Sequence, residues 1–395
     1  MHVFVLDPGF VGEGGHHLAM NRFIAEWLQD RGHEVTVLAS QRYQPSQKWG
    51  FRIVKPFEIS PYTGRNDVRT NMMLYIHSNR QTEDFLTKGL VSSRIPEGSV
   101  ILMHTGFDIH LEGIARWLIQ LNRPDLKLRI LLRFPPTMPY TDYDMAKSLS
   151  RHTLQQWENV PGDLRFFTDL DELSAYFMDY SAFDFQTTPI ALHFDKMPEA
   201  QRIEGPNERG LHYVYAGGFY PAKGAHLLAD AIQRHSAAHP EDRYTIHAAA
   251  VANPEDIERL KAASPNVSIL TTMLHGEDFF NYLLSGDVTF IAYDPVEYYL
   301  RTSHIMFESL GLGRMVIASK DSWMENQMRQ IGLPVGALMP TYDSDGLVAA
   351  MGDCKANAER YADNAHFMSA YIRRRHNADE WMRCMFQDTG ILDSE

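Results

Sequence analysis

A hydroxyl pair and a single carboxylate stand in a segment whose layout is typical of a phosphate site. Residues 291–319 read IAYDPVEYYLRTSHIMFESLGLGRMVIAS, and apolar strands are predicted at 288–292 and 315–318. Thr302 and Ser303 open the helix between these strands, and Glu308 lies about a turn and a half beyond Ser303. The backbone N–H groups at the start of a helix favour a phosphate. Since Glu308 can reach past the phosphates to a sugar hydroxyl, the segment predicts a sugar-nucleotide site.

The elements that must position these residues follow the same order in both halves of the chain. In the first half, a strand, a glycine-rich turn, a helix and a strand are predicted at residues 3–6, 9–15, 18–31 and 34–39. Further strands are predicted at 100–103, 129–134 and 164–168, and one long helical stretch at 357–386. Residues 196–210 are polar and have no apolar period, which is typical of a linker.

After the linker the pattern restarts. A strand, a loop and a helix are predicted at residues 211–216, 217–224 and 225–239, and strands follow at 244–250 and 267–270. Alternation of this kind predicts an α/β protein with two parallel sheets that carry helices on both faces.

Length and charge exclude several classes of protein. At 395 residues the chain exceeds what one hydrophobic core usually serves, so two domains are expected. The net charge of −13 argues against general binding of nucleic acid. No stretch is apolar for long enough to be a transmembrane helix and the N-terminus has no basic leader, so we expect a cytoplasmic protein. Cys354 and Cys384 are too few for a disulfide framework or a cysteine metal site.

Three segments, taken in sequence order, resemble those of one enzyme family. DRGHEVTVL at residues 30–38 resembles its first passage from helix to strand, YAGGFYPAKGAHLLADAI at 215–232 its phosphate loop, and FESLGLGRMVIAS at 307–319 its donor-binding segment. The chain thus resembles the retaining, nucleotide-sugar-dependent glycosyltransferases of group 1 type. The resemblance implies the GT-B fold, in which two Rossmann-like domains face each other across a cleft and a C-terminal helix crosses back to the first domain. We place the acceptor domain at residues 1–197, the donor domain at 205–372 and the returning helix at 373–395.

The resemblance also assigns the donor site. The family's phosphate-binding lysine falls on Lys223, whose compact charge can neutralise a departing diphosphate. Glu308 aligns with the carboxylate that contacts the ribose. The hydroxyls of Thr302 and Ser303 and the backbone N–H groups of residues 303–305 would share the phosphate. The residues assigned to the donor are Gly217, Gly218, Lys223, Gly224, Glu297, Thr302, Ser303, His304, Ile305 and Glu308.

Two positions depart from the family pattern. Gly218 stands where the phosphate loop normally has an arginine, so one cationic contact is missing or comes from elsewhere. Leu300 stands where a glutamate normally lies eight positions before the second one. The nearest carboxylate, Glu297, precedes Glu308 by eleven positions and serves only if the loop is longer. The alternative to Glu297 is that main-chain amides and the Ser303 hydroxyl take over the role of the missing glutamate.

The first domain should supply the acceptor side. Gly14 and Gly15 permit close approach of a ligand to the backbone, and His16 is either a substrate contact or a histidine held at the helix start. His16 and His17 are not expected to chelate one metal, because adjacent helical residues point about 100° apart. His104 follows a predicted strand and either bonds a sugar hydroxyl or the acceptor or has a structural role. Arg133 either reaches a phosphate or an acidic acceptor, or pairs with a carboxylate.

Residues 42–69 mix six basic residues with aromatic ones. They could dock an acidic or lipid-linked acceptor at a membrane surface, or form an edge hairpin with solvated charges.

Together these features predict an enzyme that moves a sugar from a nucleoside diphosphate to an acceptor hydroxyl in polysaccharide or glycoconjugate synthesis. Lys223, Glu308 and His104 are the candidate catalytic residues. We expect no metal and no cofactor besides the nucleotide sugar, and peripheral contact with the inner face of a membrane is an option. The alternatives are an epimerase or hydrolase of sugar nucleotides on the same fold, or a catalytically silent binder.

Overall fold

The computed structural model describes residues 1–12, 16–45, 48–61, 68–90, 92–136, 143–193, 196–206, 208–249 and 253–392. The chain forms two compact units. The first comprises Met1–Thr188 and Met382–Glu395, and the second comprises Pro189–Trp381.

The first unit is built on seven parallel strands in the order β3-β2-β1-β4-β5-β6-β7. The strands are β1 (His2–Asp7), β2 (Glu34–Ser40), β3 (Arg52–Phe57), β4 (Val100–Met103), β5 (Lys127–Leu132), β6 (Asp163–Thr168) and β7 (Phe185–Thr187). The helices are α1 (His16–Gln29), α2 (Val68–Gly89), α3 (Asp108–Leu121), α4 (Tyr143–Trp157) and α5 (Asp171–Met178), with a short 3₁₀ turn at Ser92–Arg94.

The second unit is built on six parallel strands in the order β10-β9-β8-β11-β12-β13. The strands are β8 (His212–Tyr215), β9 (Arg243–His247), β10 (Val267–Leu270), β11 (Val288–Ile291), β12 (Met315–Ser319) and β13 (Gly336–Met339). The helices are α6 (Ala225–Ala238), α7 (Pro254–Ala263), α8 (Gly276–Ser285), α9 (His304–Gly311), α10 (Trp323–Ile331), α11 (Ser344–Ala356), α12 (Ala358–Arg375) and α13 (Ala378–Phe386), and a 3₁₀ turn covers Pro221–Lys223.

The central strands explain why the sheets are parallel. All four residues of β8 and of β11 are buried, and so are all five of β12. Strands that are covered on both faces occur where crossover helices pack on either side of the sheet. The predicted α/β class with two parallel sheets is therefore confirmed.

One alternative and one predicted element are wrong. Among the described residues of 42–69, the only strand is β3, and it pairs in parallel with β2 and not in an edge hairpin. The helical stretch at 357–386 is not continuous, since α12 ends at Arg375 and α13 begins at Ala378. Asn377 accepts a hydrogen bond from the Glu380 N–H and so starts a new helix.

The end of the chain packs within the first unit. Trp27 stacks on Phe386 with ring centres 6.4 Å apart, and Arg165 forms an ion pair of 2.9 Å with Asp388. Of the helices that the structure describes, none combines the length and the apolar character needed to cross a bilayer.

Candidate functional site

The strand order of the second unit reverses between β8 and β11. β9 and β10 lie on one side of this pair, and β12 and β13 lie on the other. In open α/β sheets, ligands bind at such a reversal, outside the carboxyl ends of the strands. The loop after β8 and the loop after β11 both begin at this edge, so the fold brings together the two segments that the sequence assigns to the donor.

Gly217 is the point where these two loops meet. Its φ of +97° suits glycine, and an added Cβ would lie 2.9 Å from Lys223 Nζ and 2.9 Å from Ile305 Cδ1. The amine of Lys223 and the first turn of α9 therefore lie against the same few atoms of backbone. A side chain at position 217 would displace one or the other.

Lys223 lies among aromatic rings. Its ammonium group is 5.1 Å from the ring centre of Tyr293 and 5.7 Å from that of Tyr220. Burial lowers the pKa of Lys223; Arg301 lowers it further, whereas Tyr220 and Glu308 oppose the change. No carboxylate of the described residues forms an ion pair with this ammonium group. Its charge is therefore not neutralised by a carboxylate partner.

Gly224 and Ala222 hold the two loops together. The N–H of Asp294, in the loop after β11, donates to the Ala222 carbonyl at 3.0 Å. Gly224 has a φ of +76°, and an added Cβ would lie 2.0 Å from the Ala292 carbonyl oxygen. This close approach requires glycine at position 224.

Ser303 caps helix α9. Its hydroxyl accepts a hydrogen bond from the Met306 N–H at 3.3 Å, and its backbone is extended. The cap fixes the start of the helix at His304, where the first N–H groups have no partner within the helix. Thr302 and His304 flank the cap as half-buried residues.

Glu308 lies on the second turn of α9. Burial raises the pKa of its carboxyl to about 7, and the nearby Lys223 opposes this rise. No side-chain hydrogen bond to this carboxyl occurs within the described parts of the chain. A half-buried carboxyl with unused acceptor capacity suits a hydroxyl ligand.

Glu297 is exposed and pairs with Arg301 at 3.2 Å. The guanidinium of Arg301 also stacks over the Tyr298 ring at 4.5 Å. The sequence prediction missed Arg301 as a site residue, although it directly precedes the hydroxyl pair. It is the cation whose charge acts most directly on Lys223.

Gly218 has a steric reason to lack a side chain. An added Cβ would lie 2.2 Å from the ring of Tyr220. The Gly218 carbonyl also accepts a hydrogen bond from the Tyr215 hydroxyl at 2.8 Å. The ring of Tyr220 thus occupies the space that an arginine at position 218 would need.

In the first unit, the strand order reverses between β1 and β4, and three buried residues meet there. Asp7 Oδ1 lies 2.8 Å from His17 Nδ1, and Asp7 Oδ2 lies 3.2 Å from His104 Nε2. Burial alone would raise the pKa of Asp7, but the two histidines outweigh it and hold that pKa well below its usual range. The Gly9 N–H and the Asn21 amide donate to the same carboxylate at 3.0 and 2.6 Å.

These three side chains also have ligand atoms within 4.8 Å of one another, as a metal site would. The hydrogen bonds to the Asp7 carboxylate already use its acceptor capacity. His104 is 1% exposed and its other ring nitrogen lies 3.1 Å from the Thr105 hydroxyl. Both of its nitrogens thus face groups of the first unit.

The other predicted site residues of the first unit are Arg133 and residues 14–16. Arg133 pairs with Asp169, with 3.0 Å between Nε and Oδ2. Arg133 thus pairs with a carboxylate, which is one of the two roles predicted for it. Gly14 and Gly15 lie outside the described residues, as does the side chain of His16.

Comparison with known proteins identifies the class of fold. No protein-family model matches the chain, and no curated protein matches it in sequence. Solved structures do match over the full length. Sucrose-phosphate synthase from Thermosynechococcus elongatus superposes with a TM-score of 0.67 at 13% identity and covers 100% of this chain and 99% of its own.

Two further solved structures also superpose on nearly the whole chain. WaaG, a glycosyltransferase involved in lipopolysaccharide biosynthesis, gives a TM-score of 0.64 at 10% identity over 98% of this chain and 100% of its own. Anabaena HepE in complex with UDP gives 0.63 at 12% identity over 100% of both chains. At these identities the likeness establishes the fold, which is GT-B as predicted.

Proposed function

We propose that this chain is a glycosyltransferase that moves a sugar from a nucleoside diphosphate to a hydroxyl of a glycan, a lipid-linked saccharide or a glycoconjugate. One observation carries the proposal. At the reversal of the second sheet, Lys223 and the start of α9 lie against Gly217, and Glu308 acts on Lys223. A cation and helix N–H groups suit a diphosphate, and a carboxyl further along suits a sugar hydroxyl.

The chemistry follows from these groups. The bond between the sugar C1 and the diphosphate oxygen breaks, and a bond between C1 and the acceptor oxygen forms. The proton of the acceptor hydroxyl is taken up by the departing diphosphate. Lys223 and the N–H groups near Ser303 stabilise the negative charge that develops on the leaving group. Attack on the face from which the diphosphate leaves gives retention at C1.

Arg301 is proposed to supply the cationic contact that Gly218 lacks. It lies on the loop before α9, close enough for its charge to act on Lys223. With two side-chain cations and a helix N-terminus near the diphosphate, we propose that the reaction needs no metal. Turnover should therefore be unchanged by EDTA.

The test uses the purified chain with a donor and a panel of hydroxyl acceptors. UDP-sugars come first, because similar structures were solved with UDP, UDP-glucose and UDP-2-fluoro glucose. We expect acceptor-dependent release of UDP and a product whose anomeric proton shows the configuration of the donor. Release without acceptor would indicate a hydrolase, and isomerised donor an epimerase. Binding with no turnover would indicate a silent binder.

A further inference from the structure

A polar cavity of about 690 Å³ lies within the second unit, at the amino ends of the strands, whereas Lys223 lies beyond their carboxyl ends. It is lined by residues that precede three strands. Arg209 comes before β8, Asp287 before β11 and Arg314 before β12. A volume of this size falls within the range of small-molecule sites.

Arg314 is the unusual group in this cavity. The residue is 5% exposed, and its guanidinium donates to the carbonyls of Gly286 at 3.3 Å, Leu284 at 3.4 Å and Gln201. Its Nε has no hydrogen-bond partner within the described part of the chain. No carboxylate among the described residues forms an ion pair with it. A buried cation held only by neutral carbonyls is costly, because little offsets its lost hydration.

The nearest carboxylate is already engaged. Asp287 forms two hydrogen bonds of 2.7 Å with Arg209 and accepts a third from the His212 N–H. Burial lowers the pKa of Arg314 to about 10; Asp287 opposes this change and Arg209 adds to it.

The whole lining also carries an excess of positive charge. Arg202, Arg209 and Arg314 contribute +3 and Glu204 and Asp287 contribute −2, which leaves +1. Arg202 also pairs at 2.7 Å with Asp363, outside the lining, so the excess charge belongs to Arg314. Glu204 and Arg202 are exposed, so their side chains border the mouth of the cavity.

We propose that this cavity binds a small anionic metabolite, whose phosphate or carboxylate group neutralises the buried guanidinium of Arg314. Planar guanidinium groups suit both kinds of anion, since each offers paired oxygen acceptors. The site is separate from the donor site, because the cavity lies at the amino ends of the strands and the donor site lies at their carboxyl ends.

Crystals soaked in selenate locate the site directly. We expect an anomalous selenium peak in the cavity, beside the guanidinium groups of Arg314 and Arg209. A map with no peak there, at a selenate concentration that gives peaks elsewhere, would overturn the proposal.

Binding in solution is measured in the Lys223→Ala background, so that the predicted donor site does not respond. The readout is the saturable part of the rise in thermal midpoint with sodium sulfate over sodium chloride of equal ionic strength, because sulfate also raises the midpoint without saturation by its exclusion from the protein surface. We expect Arg314→Met to abolish this saturable part and Arg202→Gln to weaken the apparent affinity about two- to fivefold. Arg234→Gln, which removes an exposed arginine outside the cavity, should leave it unchanged.

The rise itself is the readout, so a lower midpoint of Arg314→Met without sulfate does not affect the test. Arg202 is exposed, and its variant provides the second, structurally mild arm. An equal response to sulfate in all variants would overturn the proposal. Repeating the titration with inorganic phosphate and with citrate shows which group, phosphate or carboxylate, the cavity prefers.

Discussion

Lys223 has a charge that no carboxylate of the described residues neutralises, which is why a diphosphate is its expected partner. Replacing Lys223 with Ala removes a cation at the leaving group, and we expect kcat for UDP release to fall by about 10²- to 10³-fold. Lys223→Arg should retain part of the activity. Lys261→Ala, at an exposed lysine of α7, is the control. An unchanged kcat in Lys223→Ala would remove this residue from the mechanism.

The carboxyl of Glu308 predicts a pH-dependent stability. Its pKa is raised from 4.5 to about 7, so the folded protein binds this proton more tightly than the unfolded chain does. The resulting stabilisation is complete below about pH 4.5 and is lost as the pH rises through 7. Wild type should therefore lose about 1–3 kcal/mol relative to Glu308→Gln between pH 5 and pH 8.

Thermal midpoints of both proteins at the two pH values measure this difference. The exposed Glu255 provides the matched Glu255→Gln control, which should show no such change. Parallel pH profiles for wild type and Glu308→Gln would show that the raised pKa does not exist.

At the scale of the element, substitutions at helix caps distinguish the effect of Ser303 on stability from its effect on donor binding. Ser303→Ala removes the hydroxyl that accepts from Met306, and should cost about 0.5–2 kcal/mol. It should also weaken donor binding about two- to tenfold, since the hydroxyl is a predicted phosphate contact. Asp343→Ala removes the cap of α11, which accepts from Gly346 at 2.7 Å, and is the control. If both variants bind UDP equally well, Ser303 acts only as a cap.

The loop after β8 depends on glycine at position 224. Gly224→Ala imposes a side chain at a φ of +76° and places its Cβ against the Ala292 carbonyl. Gly332 has a φ of +75° with open space around it, so Gly332→Ala carries only the backbone strain of about 1 kcal/mol. We expect Gly224→Ala to be less stable than Gly332→Ala by about 1–3 kcal/mol in urea unfolding. Equal losses would mean that the two loops can separate at little cost.

Elements with a strong local signal were predictable from the sequence. The strand at residues 267–270 and the start of the helix at Ala225 lie where the apolar pattern placed them. β3 was not predictable, because residues 52–57 carry two basic residues and pair at a sheet edge. The break between α12 and α13 did have a signal, since Asn377 followed by Glu380 is a capping pattern.

At the scale of the whole molecule, the sequence placed Lys223 and Ser303 in segments that the second sheet brings together. It could do so because each segment has a local pattern of strand, loop and helix. Arg301 stacks on Tyr298, and Asp7 contacts His104 across two strands that are distant in sequence. Contacts of this kind depend on strand order and on side-chain packing, and no local period encodes them.

The placement of the donor residues in one unit predicts where a ligand acts. Lys223, Ser303 and Glu308 all belong to Pro189–Trp381, so UDP should slow amide hydrogen exchange in peptides that cover 217–224 and 303–308. Peptides around His104 and Arg133 should not change, because these residues belong to Met1–Thr188 and none of the residues assigned to the nucleotide lies in that unit. Lys223→Ala at the same UDP concentration should lose most of the protection, since stabilisation scales with RT ln(1 + [L]/Kd). Protection around His104 and none at 217–224 would place the nucleotide in the first unit instead.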